Sequence, residues 1–248
     1  MHRFFVPPAA IRGNKVEFPE RTAHQIRNVF HMASGDRVVV LDDTGWEYHV
    51  GLQLVSHKAV IGEVALRQPS VNDPTTELTL FAAILKKDNF EWVLQKCTEL
   101  GTASFVPMIT ERTVVTAPSE HKVERWERIT TEAAEQSGRG RLPAIEPVSQ
   151  YDQVIGRLKD FDAALFFWEA AGQGDLKQIL NQSGPLRRIA CLVGPEGGFT
   201  DGEAELAQQA GAKVVTLGPR ILRAETAAVV GTSLVMHECG EMSLPEDG

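Results

Sequence analysis

Leu192-Val193-Gly194-Pro195-Glu196-Gly197-Gly198-Phe199-Thr200 joins an apolar run to a helix signal through a glycine-rich loop. Ile189 to Val193 is apolar without alternation, as expected of a strand in a sheet covered on both faces. It runs into a loop with three glycines, which let backbone turn tightly and approach a ligand closely. Thr200-Asp201-Gly202-Glu203 then has capping-box spacing and opens a helix to Ala210. Two readings stand: an ordinary strand-to-helix turn, or a ligand loop at the carboxyl end of a strand in an open α/β sheet. The loop is neither a P-loop, since no Gly-Lys-Ser/Thr follows, nor the GxGxxG dinucleotide fingerprint.

A second segment repeats the transition. Val214 to Leu217 reads as a strand, Gly218-Pro219-Arg220-Ile221-Leu222-Arg223 as a connection, and Glu225 to Glu238 as a helix ended by Gly240. Glu225 near a helix N-terminus suits the helix dipole. A capped helix with solvated arginines would account for Glu225, but it leaves Ile221 and Leu222 as apolar residues in a loop, placed to line a slot for a flat ring.

The surrounding chain alternates in the same way. Strands are expected at Leu78–Leu85, Phe105–Ile109 and Ala163–Trp168, and helices at Asn89–Leu100, Glu120–Ser137 (with Ser119 as N-cap) and Leu176–Asn181. This pattern predicts a mostly parallel α/β sheet. Gln68-Pro69-Ser70-Val71-Asn72-Asp73-Pro74-Thr75-Thr76 marks a boundary. Before it, Arg37–Leu41, Trp46–Leu54 and Ala59–Leu66 read as strands, with one helix over Arg21–Met32. The expectation is two domains, a small β-barrel over residues 1–72 and an α/β domain over residues 73–248.

The 248 residues are 43% apolar and 23% charged, which excludes a disordered or collagen-like chain. No run of about 18 apolar residues exists to span a membrane. Prolines at positions 7 and 8 break the N-terminus too early for a signal peptide's apolar region. Cys97, Cys191 and Cys239 are odd in number and far apart, and the chain has no CxxC or HExxH, so no metal site is expected. The protein is expected to be cytoplasmic with reduced thiols. Net charge is −8, yet residues 1–72 carry 8 Lys+Arg against 7 Asp+Glu, and the remainder 17 against 26. Any RNA affinity must come from local patches. The histidines show no ligand spacing and read as structural or surface. Trp46, Trp92 and Trp126 read as core, with Trp168 as a candidate base-stacking side chain.

Gly194-Pro195-Glu196-Gly197-Gly198-Phe199, together with Leu217 through Ala227, resembles the bacterial 16S ribosomal RNA uridine-N3 methyltransferases of the SPOUT superfamily. Three further segments agree: Lys86 with Gln95-Lys96-Cys97-Thr98-Glu99-Leu100-Gly101, Glu111-Arg112-Thr113, and Glu132 through Arg139. The similarity covers nearly the whole chain in order. It departs after Lys86, where the family usually has Gly-Asp and this chain has Lys87-Asp88, and at Phe30-His31, where the family often has Leu-Arg.

The resemblance implies a PUA-like N-terminal barrel and a C-terminal α/β trefoil-knot domain acting as a homodimer. It implies S-adenosyl-L-methionine bound by Phe167, Trp168, Gly194, Glu196, Gly197, Gly198, Leu217, Gly218, Ile221, Leu222 and Thr226. It also implies methylation of N3 of a specific uridine in 16S rRNA of the small ribosomal subunit, without metal. Arg223, Glu225 and Arg220 are the candidate catalytic residues. Arg3, Arg12, Arg21, Lys86, Arg112 and Arg139 are the candidate RNA contacts. Three alternatives stay open: a knotted methyltransferase with another RNA target, a non-catalytic assembly factor, and a nicotinamide-dependent enzyme. The last lacks the glycine fingerprint and acidic partner it would need.

Overall fold

In a computed structural model describing residues 1–115, 118–169, 176–182 and 186–243, the chain divides into two units. The first comprises residues 1–73 together with 131–142, the second residues 74–130 and 143–248.

The first unit contains β1 (Arg3–Phe5), β2 (Ile11–Arg12), β3 (Lys15–Glu17), α1 (Glu20–His24), β4 (Arg37–Leu41), β5 (Trp46–Val55) and β6 (Val60–Pro69). The strands form one sheet in the order β1-β4-β5-β6-β3-β2, antiparallel except for β1 against β4. The sheet is six-stranded with β1 and β2 at its edges, a curled half-barrel that fits the small β-barrel expected. Val38 and Val40 of β4, and the alternate residues Tyr48, Val50 and Leu52 of β5, pack with Phe4, Phe18 and Ile26, while Val39 and Leu41 are buried as well, so β4 is covered on both faces. The helix expected over Arg21–Met32 is shorter. Regular α-helix stops at His24 and continues as a π-helical turn over Gln25–Val29, and His31 then takes a left-handed backbone (φ +50°). Residues 138–142 are pinned into this unit by carboxylates. Asp73 accepts the N–H groups of Gly140 and Arg141 at 3.1 Å each, and Asp43 accepts that of Leu142 at 2.6 Å.

The second unit contains β7 (Glu77–Ala83), α2 (Asn89–Glu99), β8 (Ser104–Ile109), α3 (Glu120–Ser137, whose end lies in the first unit), β9 (Ala144–Ile145), β10 (Ser149–Gln150), α4 (Tyr151–Arg157), β11 (Ala163–Phe167), α5 (Leu176–Gln182), β12 (Arg188–Val193), α6 (Asp201–Gln209), β13 (Lys213–Val215) and α7 (Ala224–Glu238). The seven strands are all parallel, in the order β10-β8-β7-β12-β11-β13, with β9 sharing the outer edge of β8.

The uninterrupted apolar strands are explained by cover on both faces. Leu78, Leu80, Ala82, Ile189, Cys191 and Val193 pack with α2, α5 and α7 on one side. Phe81, Phe166, Ala190 and Leu192 pack with α4 and α6 on the other. Burying each large side chain stabilises by about 1.5–3 kcal/mol. Gly101 ends α2 with φ +98° and donates to the Thr98 carbonyl at 3.0 Å. The Thr200–Glu203 capping box forms as its spacing predicts. All three cysteines are free. Burial pushes the Cys97 thiol up to about 12 and raises Cys191 and Cys239 as well, so none is an activated nucleophile. Among the described residues, no helix is long and apolar enough to cross a membrane.

Candidate functional site

The carboxyl ends of β11, β12 and β13 open together into a cavity of about 430 Å³. That lies within the range of small-molecule sites, about 300–1,000 Å³. It sits where open parallel sheets place ligands, because the strand-to-helix loops diverge there and leave a crevice.

Three loops build it. Phe167, Trp168 and Glu169 follow β11; Gly194, Pro195, Glu196 and Gly198 follow β12; Thr216, Leu217, Gly218, Arg220, Ile221, Leu222 and Arg223 follow β13. The first turn of α7 closes the wall with Glu225 and Ala227. Gly218 has φ +105° and nothing within 4 Å of where a Cβ would stand. It makes a turn that L-residues disfavour and leaves the backbone open to the cavity. Gly231 on α7 performs a different task. A Cβ there would lie 2.7 Å from the Phe167 ring, so its absence lets that ring sit between α7 and the cavity.

The glycine loop is held by side chains around it. Lys86 donates its backbone N–H to Glu196 Oε1 at 2.9 Å. Arg112 donates to the Gly197 carbonyl at 2.8 Å and to that of Phe199 at 3.4 Å. Glu111, next to Arg112, donates its N–H to Glu203 in the capping box at 2.9 Å. The loop therefore stands preorganised by bonds from β7's and β8's carboxyl ends.

The arrangement suits a ligand with a flat apolar part and a charged part. Ile221 is 81% exposed, an apolar side chain left bare, and Val193, Leu217, Leu222 and Ala227 lie along the same cavity. Glu169, Glu196 and Glu225 face it with Arg220 and Arg223, so both signs of charge are available. Among the described residues, no group of three His, Cys, Asp or Glu is placed to hold a metal.

Of the residues singled out in the sequence, the cavity brings together Arg220, Arg223, Glu225, Phe167, Trp168, Gly194, Glu196, Gly198, Leu217, Gly218, Ile221 and Leu222. Gly197 and Thr226 do not line it; Gly197 faces Arg112 instead. Lys86 and Arg112 are exposed beside the glycine loop. Arg3, Arg12, Arg21 and Arg139 belong to the first unit. Arg12 and Arg21 are exposed there, whereas Arg3 lies 3.6 Å from Glu47 with its side chain 28% exposed. Arg139 is 5% exposed, its Nε 3.7 Å from Asp73, so it braces the pinned 138–142 segment and presents no free surface for RNA. Asn89, Thr216 and Ala227 line the cavity without having been singled out. Asn89 carried one signal, its place as first residue of the helix after Lys86-Lys87-Asp88.

The chain has known relatives over nearly its whole length. Residues 72–236 match the RNA methyltransferase domain family. A ribosomal RNA small subunit methyltransferase E of a Synechocystis strain is 36% identical over 236 residues, covering 94% of this chain and 77% of that protein. Its namesake in Bacillus subtilis is 31% identical, covering 96% and 97%. The crystal structure of a ribosomal RNA small subunit methyltransferase E from Neisseria gonorrhoeae, bound to S-adenosyl methionine, superposes with a TM-score of 0.85 at 29% identity, over 96% of this chain and 97% of that one. A methyltransferase from Legionella pneumophila in complex with the same cofactor gives 0.85 at 28% identity, over 95% and 96%. With the family matched across the whole second unit's sheet and relatives aligned over nearly the full chain, this protein belongs to the RNA methyltransferase family, among the ribosomal RNA small subunit methyltransferases E.

Proposed function

We propose that this protein methylates N3 of a specific uridine in 16S ribosomal RNA, with S-adenosyl-L-methionine as donor. The observation that carries the reading is one cavity, at the carboxyl ends of β11, β12 and β13, that combines glycine-lined loop backbone, bare apolar side chains and the set Arg220, Arg223 and Glu225.

The residues fit the donor. Leu217, Ile221 and Leu222 would clasp the adenine, with Phe167 and the Gly194–Gly198 loop around the rest and Glu169 and Glu196 offering negative charge to a cationic ligand. When bound, the donor supplies a methyl group already activated on a sulfonium sulfur. The chain's own tasks are then three. Its loops hold the uracil in line with the methyl group, which alone can supply much of the barrier reduction. Glu225 accepts the N3 proton, because only the deprotonated imide is a good nucleophile. Arg223 and Arg220 donate hydrogen bonds to the uracil oxygens where negative charge develops.

N3 lies on the Watson–Crick edge, so the base must be unpaired or flipped out before it enters. Lys86 and Arg112 beside the glycine loop, and the exposed Arg12 and Arg21 of the first unit with Arg3, supply the RNA contacts, and the first unit serves as a PUA-like second grip. The connection Thr216–Arg223 supports a trefoil-knotted path. It leaves β13 at the sheet's edge and delivers α7 onto α2, β7 and β12 at the centre. Trp92, Ile221 and Leu234, apolar and at least 41% exposed, support a homodimer that covers them.

The test is calorimetric binding of S-adenosyl-L-methionine together with turnover of Glu225→Gln on small ribosomal subunits. The reading predicts micromolar-range cofactor binding, unchanged in the variant, and a loss of turnover of at least about 100-fold, the usual weight of a general base. Full turnover in the variant removes Glu225 from the mechanism. No cofactor binding by the wild-type protein removes the function.

A further inference from the structure

The loop between β7 and α2 holds an unexplained lysine. Lys86, Lys87 and Asp88 are exposed, while Ile84 and Leu85 before them and Phe90 after them are buried. Lys87 has φ +56°. Among the described residues only His31 and Asp43 share a left-handed backbone without being glycine. Asp and His are among the residue types that tolerate this conformation, and the Asp43 carboxylate also accepts the Leu142 N–H. A lysine has no acceptor with which to make such a bond, and its Cβ disfavours this conformation. Backbone geometry therefore does not select lysine at position 87; glycine or asparagine would serve better.

Strain kept at one position, beside a site, points to a use for the side chain. Lys87 does not itself line the cavity, but its loop joins the cavity wall. Lys86 bonds the glycine loop through Glu196, and Asn89, two residues past Lys87, lines the cavity wall. Neither lysine's ammonium is paired with a carboxylate among the described residues, and the same holds for Arg220 and Arg223, which line the cavity. An exposed, unpaired, compact cation on a flexible stem is suited to meet a phosphate as a point charge.

We propose that Lys87 is a substrate-positioning residue that contacts a backbone phosphate of the RNA next to the target nucleotide. The inference rests on the RNA-methylating reading above and adds a residue to it.

The experiment compares wild type, Lys87→Asn and Lys87→Arg for RNA affinity as a function of salt, for KM and kcat on small ribosomal subunits lacking the modification, for cofactor affinity, and for Tm. Asparagine tolerates the left-handed backbone and carries no charge. The expected result for Lys87→Asn is an unchanged or raised Tm, unchanged cofactor affinity, a several-fold higher KM with kcat nearly kept, and a salt slope of log K shallower by about 0.7–0.9, the release of one phosphate contact. Lys87→Arg keeps the wild-type slope. An unchanged slope and KM in Lys87→Asn overturns the proposal, as does a weakened cofactor affinity, which would make Lys87 a support of the Glu196 loop. Lack of methyl transfer by the wild type would instead refute the reading on which the proposal rests.

Discussion

Replacing Gly231 by alanine should damage the cavity from behind. In an ordinary helix interior the change would stabilise by about 1 kcal/mol, because glycine loses more backbone freedom on folding. Here the new Cβ would stand 2.7 Å from Phe167 Cε2, 2.9 Å from Cζ and 3.0 Å from Cδ2. Contacts that short cannot persist, so the ring must move. Phe167 is 6% exposed and packed in the core beside Val193 and Val215, leaving the cavity as the free side. Overpacking of this kind costs about 1–3 kcal/mol, so the net change is a loss of roughly 0–2 kcal/mol. The displaced ring narrows the ligand's seat, with an expected tenfold loss of cofactor affinity, about 1.4 kcal/mol. Thermal unfolding without ligand and calorimetric titration with S-adenosyl-L-methionine measure the two effects. The expected outcome is an unchanged or slightly lower Tm and a weaker Kd, both restored by adding Phe167→Leu. A Tm raised by about 2–4 °C, the unopposed propensity gain, with unaltered affinity would refute the packing argument.

Two further predictions concern carboxylates outside the cavity. Burial pushes the Glu135 carboxyl up from its usual value to about 7, a shift that the Phe5 N–H at 2.9 Å and Arg21 only partly oppose and Glu132 adds to. The folded state therefore holds a proton that the unfolded state has released, and stability should fall as pH rises from about 4.5 to 7. Glu135→Gln should remove this slope and stabilise the protein at pH 8 by about 1–3 kcal/mol; an unchanged denaturation midpoint between pH 5 and 8 in both proteins would contradict it. At the other end of the chain, Glu241 accepts the backbone N–H groups of Thr75 and Thr76 and the Thr75 hydroxyl, clasping the end of α7 to the entry of β7. Burial acts to raise its carboxyl, but these bonds outweigh that and hold it below the usual value. Its contribution is present above the unfolded carboxylate range and lost as pH falls through the lowered value. Glu241→Ala should cost about 1–2 kcal/mol at pH 7 and less at pH 3, read from urea midpoints.

What could be read from the sequence was what local chemistry decides. The Thr200–Glu203 cap, the α2 stop at Gly101 and the apolar strands of the parallel sheet need only neighbours in the chain. The short β9, β10 and α4 carry too few residues for a hydrophobic period, although Gln150 and Gln153 form a capping pair. The spacing over Arg21–Met32 does not reveal the π-helical turn that replaces regular α-helix after His24. Within the site, glycine loops were visible because glycine marks backbone that must turn or be approached. Asn89 and Gly231 were not, since each acts through a residue distant in sequence. The same holds for Arg139, whose burial depends on Asp73. The departure at Lys87 was legible as a substitution of glycine, but only the left-handed backbone shows what that substitution costs.

The most direct test of the account is methyl transfer from isotopically labelled S-adenosyl-L-methionine to small ribosomal subunits lacking uridine methylation, with nucleoside mass spectrometry of the digested 16S rRNA. The account predicts label in 3-methyluridine at one position, dependent on Glu225. Label in any other nucleoside, or none despite measurable cofactor binding, would contradict it.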